Sequence, residues 1–408
     1  MLSYISASSN YYYDSDDPEQ KPTYDFPIHT LPILFPWQKF YNQNGRVLIN
    51  EPKNLFELPL KELILFLLKV NLLYHPICSK CNGAMNLVSN KRRLDQYEFR
   101  CHRSDLDIKC NLRKDSIFEH SNLPLQGLFC ICFKCFVDNK PLAEVQNEVH
   151  QLMKDNCGYS KPAIISFYKK LRQKLALKIH SYWSLNPLGI FPAEKGIPRV
   201  ELDETHLGTF NGVQMWVFGM YDRGTKDIRL FTVGNNRTKE YLLSYILYNV
   251  STYIDRDDIS SDLHRNLIGK EDVRTRIYTD CFKAYNTEAI ESYGFAHRRV
   301  NHSITFGGGT FHTNSIESTW REMKKRANYF CGINTSKILE KIDENDFQEE
   351  AKEYVQNWIM YDYWLRSMKN CSLLEKRISL YILFAIEHKE INENHFNNSD
   401  YEISGESI

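Results

Sequence analysis

Three carboxylates of this sequence are spaced as a metal-dependent phosphoryl-transfer site requires. Asp203 and Asp280 each lie near the end of an apolar, strand-like run, and Glu317 lies in the first turn of a helix predicted over 312–326. Lys324 follows Glu317 by seven residues, two helical turns, so both side chains project from one side of that helix. Converging carboxylates offer the hard oxygen ligands that Mg²⁺ prefers. Taken alone, the segment also fits a plain capped surface helix.

The helix that carries Glu317 is predicted from its cap and its apolar spacing. Asn314 can act as N-cap, and Glu317 follows it at the spacing of a capping box. Ile316, Trp320 and Met323 recur at helical intervals and give the helix one apolar face. We therefore expect this helix to pack across another element through that face.

The elements upstream of this helix predict a sheet that would bring the carboxylates together. Short turns separate three alternating runs, which predict an antiparallel meander. A helix, a fourth strand ending at Asp280, a short helix and a fifth strand follow. This order is that of the ribonuclease-H-like fold, in which the first and fourth strands lie side by side. The runs read, in order, PRVELDETHL, GVQMWVFGMYDRG, DIRLFTVGN, TKEYLLSYILYNVSTYI, TRIYTDCFKAY and FAHRRVNHS.

The chemistry expected of such a triad is two-metal phosphodiester cleavage. Two Mg²⁺ or Mn²⁺ ions about 3.5–4 Å apart would neutralise the carboxylates of Asp203, Asp280 and Glu317 and stabilise the attacking and leaving oxygens of an in-line displacement. Water or a DNA 3′-hydroxyl would be the nucleophile.

Cysteines before the sheet predict a zinc-ribbon-like module. The run HPICSKCNG sets Cys78 and Cys81 on a tight turn from which both thiolates can bind one tetrahedral ion. Cys101 and Cys110 would complete the site, although their spacing is wide enough for His102 to replace one thiolate. The chain has 11 Cys and no visible signal peptide, so we expect a reducing compartment and metal binding rather than disulfides. The further thiols in LFCICFKCF are expected to be buried and free.

The rest of the chain divides by composition. The ends carry acidic runs, whereas residues 281–330 are basic, although the net charge is zero. A basic centre between acidic ends can bind a polyanion, and it can equally be a solvated face. No apolar run is long enough to cross a membrane. The predicted organisation is a disordered acidic arm at 1–25, an amphipathic helix and zinc module at 55–125, a helical region at 126–185, the catalytic domain at 198–335, C-terminal helices at 336–386 and an acidic tail at 387–408.

The helical region at 126–185 has two interpretations. A helix, a break at DNCGYSKP and a second helix with a basic face are compatible with helix-turn-helix DNA binding. Generic helical hairpins share this pattern.

The ordered motifs resemble the catalytic domain of Merlin-superfamily DDE transposases and their bacterial insertion-sequence relatives. The resemblance covers roughly residues 75–330 and rests on VELDETHLG, WVFGMYDRG, IYTDCFKAY and HTNSIESTWREMKK, together with RKDSIFEHSNLPL after the cysteines. It implies that Asp203, Asp280 and Glu317 bind the catalytic metal ions and that Lys324 contacts DNA phosphate. The neighbouring Lys325 and Arg326 are expected to touch DNA as well.

Together these features predict an α/β protein with a mixed sheet and the function of a DNA transposase. It would bind the terminal inverted repeats of its element as double-stranded DNA, cleave at the element ends and join the 3′ ends to target DNA. A homo-oligomer of at least two subunits is expected, since two ends must be joined, and the nucleus is the expected location if the source is eukaryotic. The alternative is a catalytically inactive, domesticated DNA-binding protein derived from a transposase.

Overall fold

The structure is a computed structural model, and it describes residues 55–56, 58–103, 105–152, 160–190, 197–210, 213–252, 274–300, 312–330 and 344–386. The arm predicted at 1–25 and the tail predicted at 387–408 lie outside the described residues.

The N-terminal module is a small sheet preceded by a helix. Helix α1 (Leu60–Lys69) is followed by strands β1 (Met85–Ser89), β2 (Tyr97–Cys101) and β3 (Lys109–Asn111), which pair antiparallel in the order β1-β2-β3. The apolar face of α1 is buried, and the Phe66 ring contacts Phe129 and Tyr381 edge-on. The leucine-rich helix therefore packs within its own chain.

Three helices follow the module: α2 (Leu125–Phe136), α3 (Leu142–Leu152) and α4 (Lys161–Leu185). Cys130, Cys132 and Cys135 of α2 are buried and free, as predicted, and burial raises the pKa of each thiol. On α4, the guanidinium of Arg172 is buried and lies over two tyrosine rings. Arg172 is therefore not part of an exposed basic face, and the helix-turn-helix interpretation stays a prediction.

The second sheet is mixed and has five strands in the order β6-β5-β4-β7-β8. Strands β4 (Arg199–Phe210), β5 (Val213–Asp222) and β6 (Ile228–Gly234) form the predicted antiparallel meander. Strands β7 (Arg276–Thr279) and β8 (Ala296–Arg299) continue the sheet parallel to β4. The first and fourth strands of this sheet are therefore neighbours, as the order of elements predicted.

In the described residues, this sheet is accompanied by helices α5 (Lys239–Asn249), α6 (Thr287–Ser292), α7 (Asn314–Phe330), α8 (Glu344–Ser367) and α9 (Leu373–Phe384). Helix α8 joins the helical region to the sheet: the Tyr361 hydroxyl donates to the Cys135 carbonyl, and Gln356 bonds to the β6 backbone. Buried residues from the module to α9 thus form one hydrophobic core. Among the described residues, no helix combines the length and apolarity that a membrane span needs.

Candidate functional site

Strand pairing brings two of the predicted carboxylates to the same level of the sheet. In the parallel pair β4–β7, Glu201 lies opposite Tyr278. Asp203 and Asp280 each lie two residues further along their chains, where β4 continues and β7 has ended. The Asp280 carboxylate accepts the backbone N–H of Phe282 at 2.8 Å, which fixes the turn after the strand.

Helix α7 packs across β4 and β5 and brings the third carboxylate to this edge. The indole Nε1–H of Trp320 donates to Asp203 at 2.9 Å, and Glu317 lies one turn earlier on the helix. Gly219 of β5 makes this packing possible, because a Cβ at that position would lie 2.3 Å from the Trp320 ring. The predicted apolar face of the helix is thus the face that contacts the sheet.

The three carboxylates influence one another electrostatically. Burial raises the pKa of Asp203 to about 6, and the negative charges of Asp280 and Glu317 contribute to the rise, while the Trp320 hydrogen bond opposes it. Their oxygens do not all lie within 4.8 Å of one another, unlike the sulfur atoms of the cysteine cluster described below. The edge thus gathers negative charge that a cation would neutralise.

Glu204 follows Asp203 and projects to the other face of the strand. Burial, with a contribution from the charges of Asp203 and Asp280, raises the pKa of Glu204 to about 8. This pKa, higher than that of Asp203, favours its protonated form and makes it a poorer metal ligand.

The N-terminus of α7 is capped differently from the sequence prediction. The helix begins at Asn314 itself, so Asn314 is not the N-cap. The preceding Thr313 donates its hydroxyl to the Glu317 carboxylate at 2.9 Å. A carboxylate from β4, Glu201, accepts the backbone N–H groups of Ser315 and Ile316, each at 3.0 Å. A tertiary cap therefore replaces the local one.

Sequence reasoning missed Glu201, which connects all the elements of the site. Its side chain is fully buried and pairs with Arg223 at 2.6 Å. Arg223 in turn contacts His312, just before α7, and lies over the ring of Tyr278, two residues before Asp280. In the run VELDE, Glu201 and Asp203 alternate and share the strand face that contacts the helix, while Glu204 faces the other side. This pattern does not indicate that Glu201 caps the helix.

The predicted DNA-contacting residues have different surroundings. Lys324 is exposed and makes no hydrogen bond or ion pair with the part of the chain that the structure describes. Lys325 pairs with Glu322 on the surface. Arg326 pairs with the buried carboxylate of Asp362 at 2.5 Å, so its guanidinium already has a partner inside the protein. Lys324 and Lys325 are therefore exposed to solvent, whereas Arg326 is committed to a buried partner.

A second cation near the carboxylates was not predicted. The Arg237 guanidinium lies 3.5 Å from the centre of the Trp216 ring and 4.9 Å from that of Phe282, which follows Asp280 by two residues. Its charge is felt by Glu204. Its only sequence signal is an arginine in the loop after the third strand, which is too common to stand out.

The cysteines of the N-terminal module form a tight cluster. Cys78 and Cys81 flank a turn closed by hydrogen bonds from the Cys78 N–H to the Gly83 carbonyl and from the Asn82 N–H to the Cys78 carbonyl, both 2.8 Å. Their sulfur atoms and that of Cys101 all lie within 4.8 Å of one another. A hydrogen bond from the Lys80 backbone N–H lowers the pKa of Cys78 to about 7, which favours its thiolate. This cluster could bind a metal ion such as zinc.

The structure does not bring the fourth predicted thiol, Cys110, into this cluster. Cys110 lies opposite Phe99 in the β2–β3 pairing, and its sulfur faces the carbonyl of Asn111 at 3.6 Å. The Nδ1 atom of His102 instead lies 3.8 Å from the Cys81 sulfur. Sequence spacing could not distinguish Cys110 from His102, because the β2–β3 register decides which of the two side chains lies beside the cluster.

Comparison with known proteins gives a distant structural likeness. No protein-family model and no curated protein matches the chain. A chain of the simian T-cell lymphotropic virus intasome, solved by cryo-electron microscopy in complex with PP2A regulatory subunit B56 gamma, is similar over 53% of this chain and 67% of that chain at 13% identity. The TM-score is 0.24, which does not establish a common fold.

Proposed function

We propose that the chain is a DDE-type DNA transposase with a ribonuclease-H-like catalytic domain, as its resemblance to the Merlin superfamily implies. One observation carries the proposal: Asp203 lies on β4 and Asp280 directly after the adjacent parallel strand β7, each two residues beyond the paired Glu201 and Tyr278, while the helix bearing Glu317 packs against Asp203. The strand order, with the first and fourth strands adjacent, supports the same fold.

The donor set fits hard divalent cations. Asp203, Asp280 and Glu317 supply only carboxylate oxygens. Burial, and to a lesser degree the charges of Asp280 and Glu317, raise the pKa of Asp203, and a bound cation would favour its ionised form. These three residues would hold Mg²⁺ or Mn²⁺, which when bound would stabilise the attacking and leaving oxygens of a phosphodiester displacement. The chain's own contribution is to keep the carboxylates oriented: Trp320 holds Asp203, the Phe282 N–H holds Asp280, and Thr313 holds Glu317.

Double-stranded DNA is the proposed substrate, and two cations flank the carboxylates to receive its phosphates. Lys324 projects from the helix of Glu317, and Arg237 lies beside the turn after Asp280. Among the described residues, the guanidinium of Arg237 lies over the rings of Trp216 and Phe282 and makes no hydrogen bond, so its N–H groups could donate to a phosphate. Contacts of this kind would position the strand without reading its sequence.

The remaining proposed roles concern the ends of the element. The N-terminal module, folded around zinc at Cys78, Cys81 and Cys101, and the helices α3 and α4 would bind the terminal inverted repeats. Two ends must be joined, so at least two copies of the chain would assemble on DNA. In a eukaryotic source, the protein would act in the nucleus.

Strand cleavage tests the proposal. The substrate is double-stranded DNA that contains the sequences flanking the coding region in the source genome, incubated with the full-length protein and Mg²⁺ or Mn²⁺. We expect metal-dependent nicks at the element boundaries from the wild type and none from Asp203→Asn, Asp280→Asn or Glu317→Gln. The matched control is Glu322→Gln, an exposed carboxylate on the same helix, which should cleave like the wild type.

The alternative outcomes are distinct. Cleavage that persists in all three variants would remove the triad from the reaction. DNA binding with no cleavage by the wild type under either metal would favour a domesticated DNA-binding protein derived from a transposase.

A further inference from the structure

The cysteine cluster offers three ligands, whereas a structural zinc site takes four in a tetrahedron. The sulfur atoms of Cys78, Cys81 and Cys101 lie within 4.8 Å of one another and would occupy three corners of such a tetrahedron. Those of Cys81 and Cys101 are 3.6 Å apart. A fourth donor must therefore come from a neighbouring residue or from solvent.

Cys110 is kept out of the fourth position by strand register. The backbone N–H of Cys101 bonds to the carbonyl of Ile108, and Cys110 lies opposite Phe99. Cys110 is therefore offset from Cys101 by two residues, about 7 Å along the strand.

A buried ion pair fixes this register. Arg113, two residues after β3, donates both Nε and Nη2 to the carboxylate of Asp95, two residues before β2, at 2.5 Å. Both side chains are about 95% buried, at 5% and 6% exposure. Arg113 also donates to the carbonyls of Ser121 and Leu123. A slip of β3 that brought Cys110 to the cluster would separate these two buried charges, which is strongly unfavourable.

His102 lies beside the cluster and has room for its ring. It follows Cys101 directly, and its Nδ1 lies 3.8 Å from the Cys81 sulfur, a separation that two ligands of one zinc ion have. Its ring nitrogens do not lie within 4.8 Å of all three sulfur atoms, so the side chain must rotate toward Cys78 and Cys101 to complete the tetrahedron. The imidazole lies against Gly83, where a Cβ would be 2.3 Å from its Cε1 atom. Any larger residue at position 83 would therefore push the ring away from the cluster.

We infer that His102 is the fourth ligand of a Cys3His zinc site and that Gly83 provides the space its ring occupies. Three thiolates and one imidazole form a soft, closed, four-coordinate set, which selects zinc and leaves no position for substrate. The inference deepens the zinc module of the proposed function, but it does not depend on DNA cleavage.

Metal titration of the full-length chain tests this site. Protein stripped of metal under reducing conditions is titrated with Zn²⁺ against a chromogenic chelator, and separately with Co²⁺, whose absorption reports thiolate and imidazole ligands. We expect His102→Ala to weaken zinc at least tenfold, since even residues that only support a ligand contribute about 10–100-fold. Cys110→Ser should bind within twofold of the wild type. His120→Ala, an exposed histidine of the same module, is the matched control.

Two further variants keep the test decisive if His102→Ala folds poorly. His102→Cys should bind metal tightly and give the Co²⁺ spectrum of four thiolates. Gly83→Ala should weaken zinc as His102→Ala does. A loss of affinity in Cys110→Ser with none in His102→Ala would overturn the inference and restore the four-cysteine site. Zinc affinity that stays at the wild-type level in both variants would mean that the fourth ligand is a solvent molecule. That result would overturn the inference as well. A protein that binds zinc in this way but cleaves no DNA would contradict only the proposed function.

Discussion

Glu201 and Arg223 form a buried ion pair, with the Arg223 Nε–H donating to the Glu201 carboxylate at 2.6 Å and side-chain exposures of 9% for Arg223 and 0% for Glu201. The second oxygen of Glu201 caps helix α7. The pair therefore connects strand β4, which carries Asp203, to the helix that carries Glu317.

Glu201→Gln is expected to lower the free energy of unfolding by about 3 kcal/mol, because it leaves the Arg223 charge buried without its partner. Chemical denaturation measures this loss. Asp107→Asn, which removes an exposed ion pair with Lys109, is the control and should cost at most about 1 kcal/mol. Equal losses in both variants would show that the Glu201–Arg223 pair does not stabilise the junction.

Asp203→Asn is expected to stabilise the folded chain at pH 7. The pKa of Asp203 rises from 3.8 to about 6 on folding, so the folded state binds its proton more tightly than the unfolded state does. Stability is therefore lost as the pH rises from about 3.8 to about 6, by about 1–3 kcal/mol in total for a shift of this size, and the uncharged Asn avoids that loss.

The pH dependence separates this effect from better packing. The advantage of Asp203→Asn should be absent below about pH 3.8, grow up to about pH 6 and remain constant above it. Thermal unfolding across this range, without divalent metal, provides the measurement. Asp105→Asn, an exposed carboxylate, should show no such trend. If Asp203→Asn stabilised the chain by the same amount at every pH, the cost of ionising the buried Asp203 carboxylate would not be the cause.

The level of Asp203 and Asp280 in the sheet was predictable from the sequence because it depends on local pattern. Each residue follows a strand-like run, and the order of elements makes the two strands neighbours. The role of these residues and Glu317 as metal ligands stays a prediction. Glu201 was not predictable, because its partners Arg223 and Ser315 lie 22 and 114 residues away. Its role as a cap exists only after the sheet and helix have packed.

The candidate metal ligands of the N-terminal module show the same limit. The turn at Cys78 and Cys81 is local, so its two thiols were identified from spacing alone. Whether Cys110 or His102 joins them depends on the β2–β3 register, which is fixed by a buried ion pair between residues 18 positions apart. A two-residue shift of the β2–β3 pairing would change which side chain lies beside the cysteine cluster, although the spacing of the cysteines in the sequence would be the same.

Lys324 and Arg326 are expected to respond differently to replacement by alanine. Lys324→Ala should weaken DNA binding and reduce the slope of log affinity against log salt concentration by about 1, the value for one lost phosphate contact. Its stability should not change, because the Lys324 side chain is exposed. Arg326→Ala should instead destabilise the fold, since it removes a partner of the buried Asp362. Fluorescence anisotropy over a salt series, paired with thermal unfolding, distinguishes the two. Weaker DNA binding by Arg326→Ala at unchanged stability would contradict this assignment.

Trp320→Phe is expected to shift the pH dependence of metal binding at the carboxylates. The Trp320 N–H lowers the pKa of Asp203, so its removal should raise that pKa above its present value of about 6. Asp203 must lose its proton to bind a cation, and the pH at which Mn²⁺ affinity is half-maximal should therefore increase. Electron paramagnetic resonance of free Mn²⁺ against pH measures the midpoint.

The control for this variant is Trp216→Phe, which alters the indole that Arg237 covers and leaves the Asp203 hydrogen bond intact. Its midpoint should match that of the wild type. Phenylalanine also leaves a small cavity at position 320, which lowers stability without affecting a titration midpoint. A midpoint that moves equally in both variants would mean that packing, rather than the indole N–H, sets the charge state of Asp203.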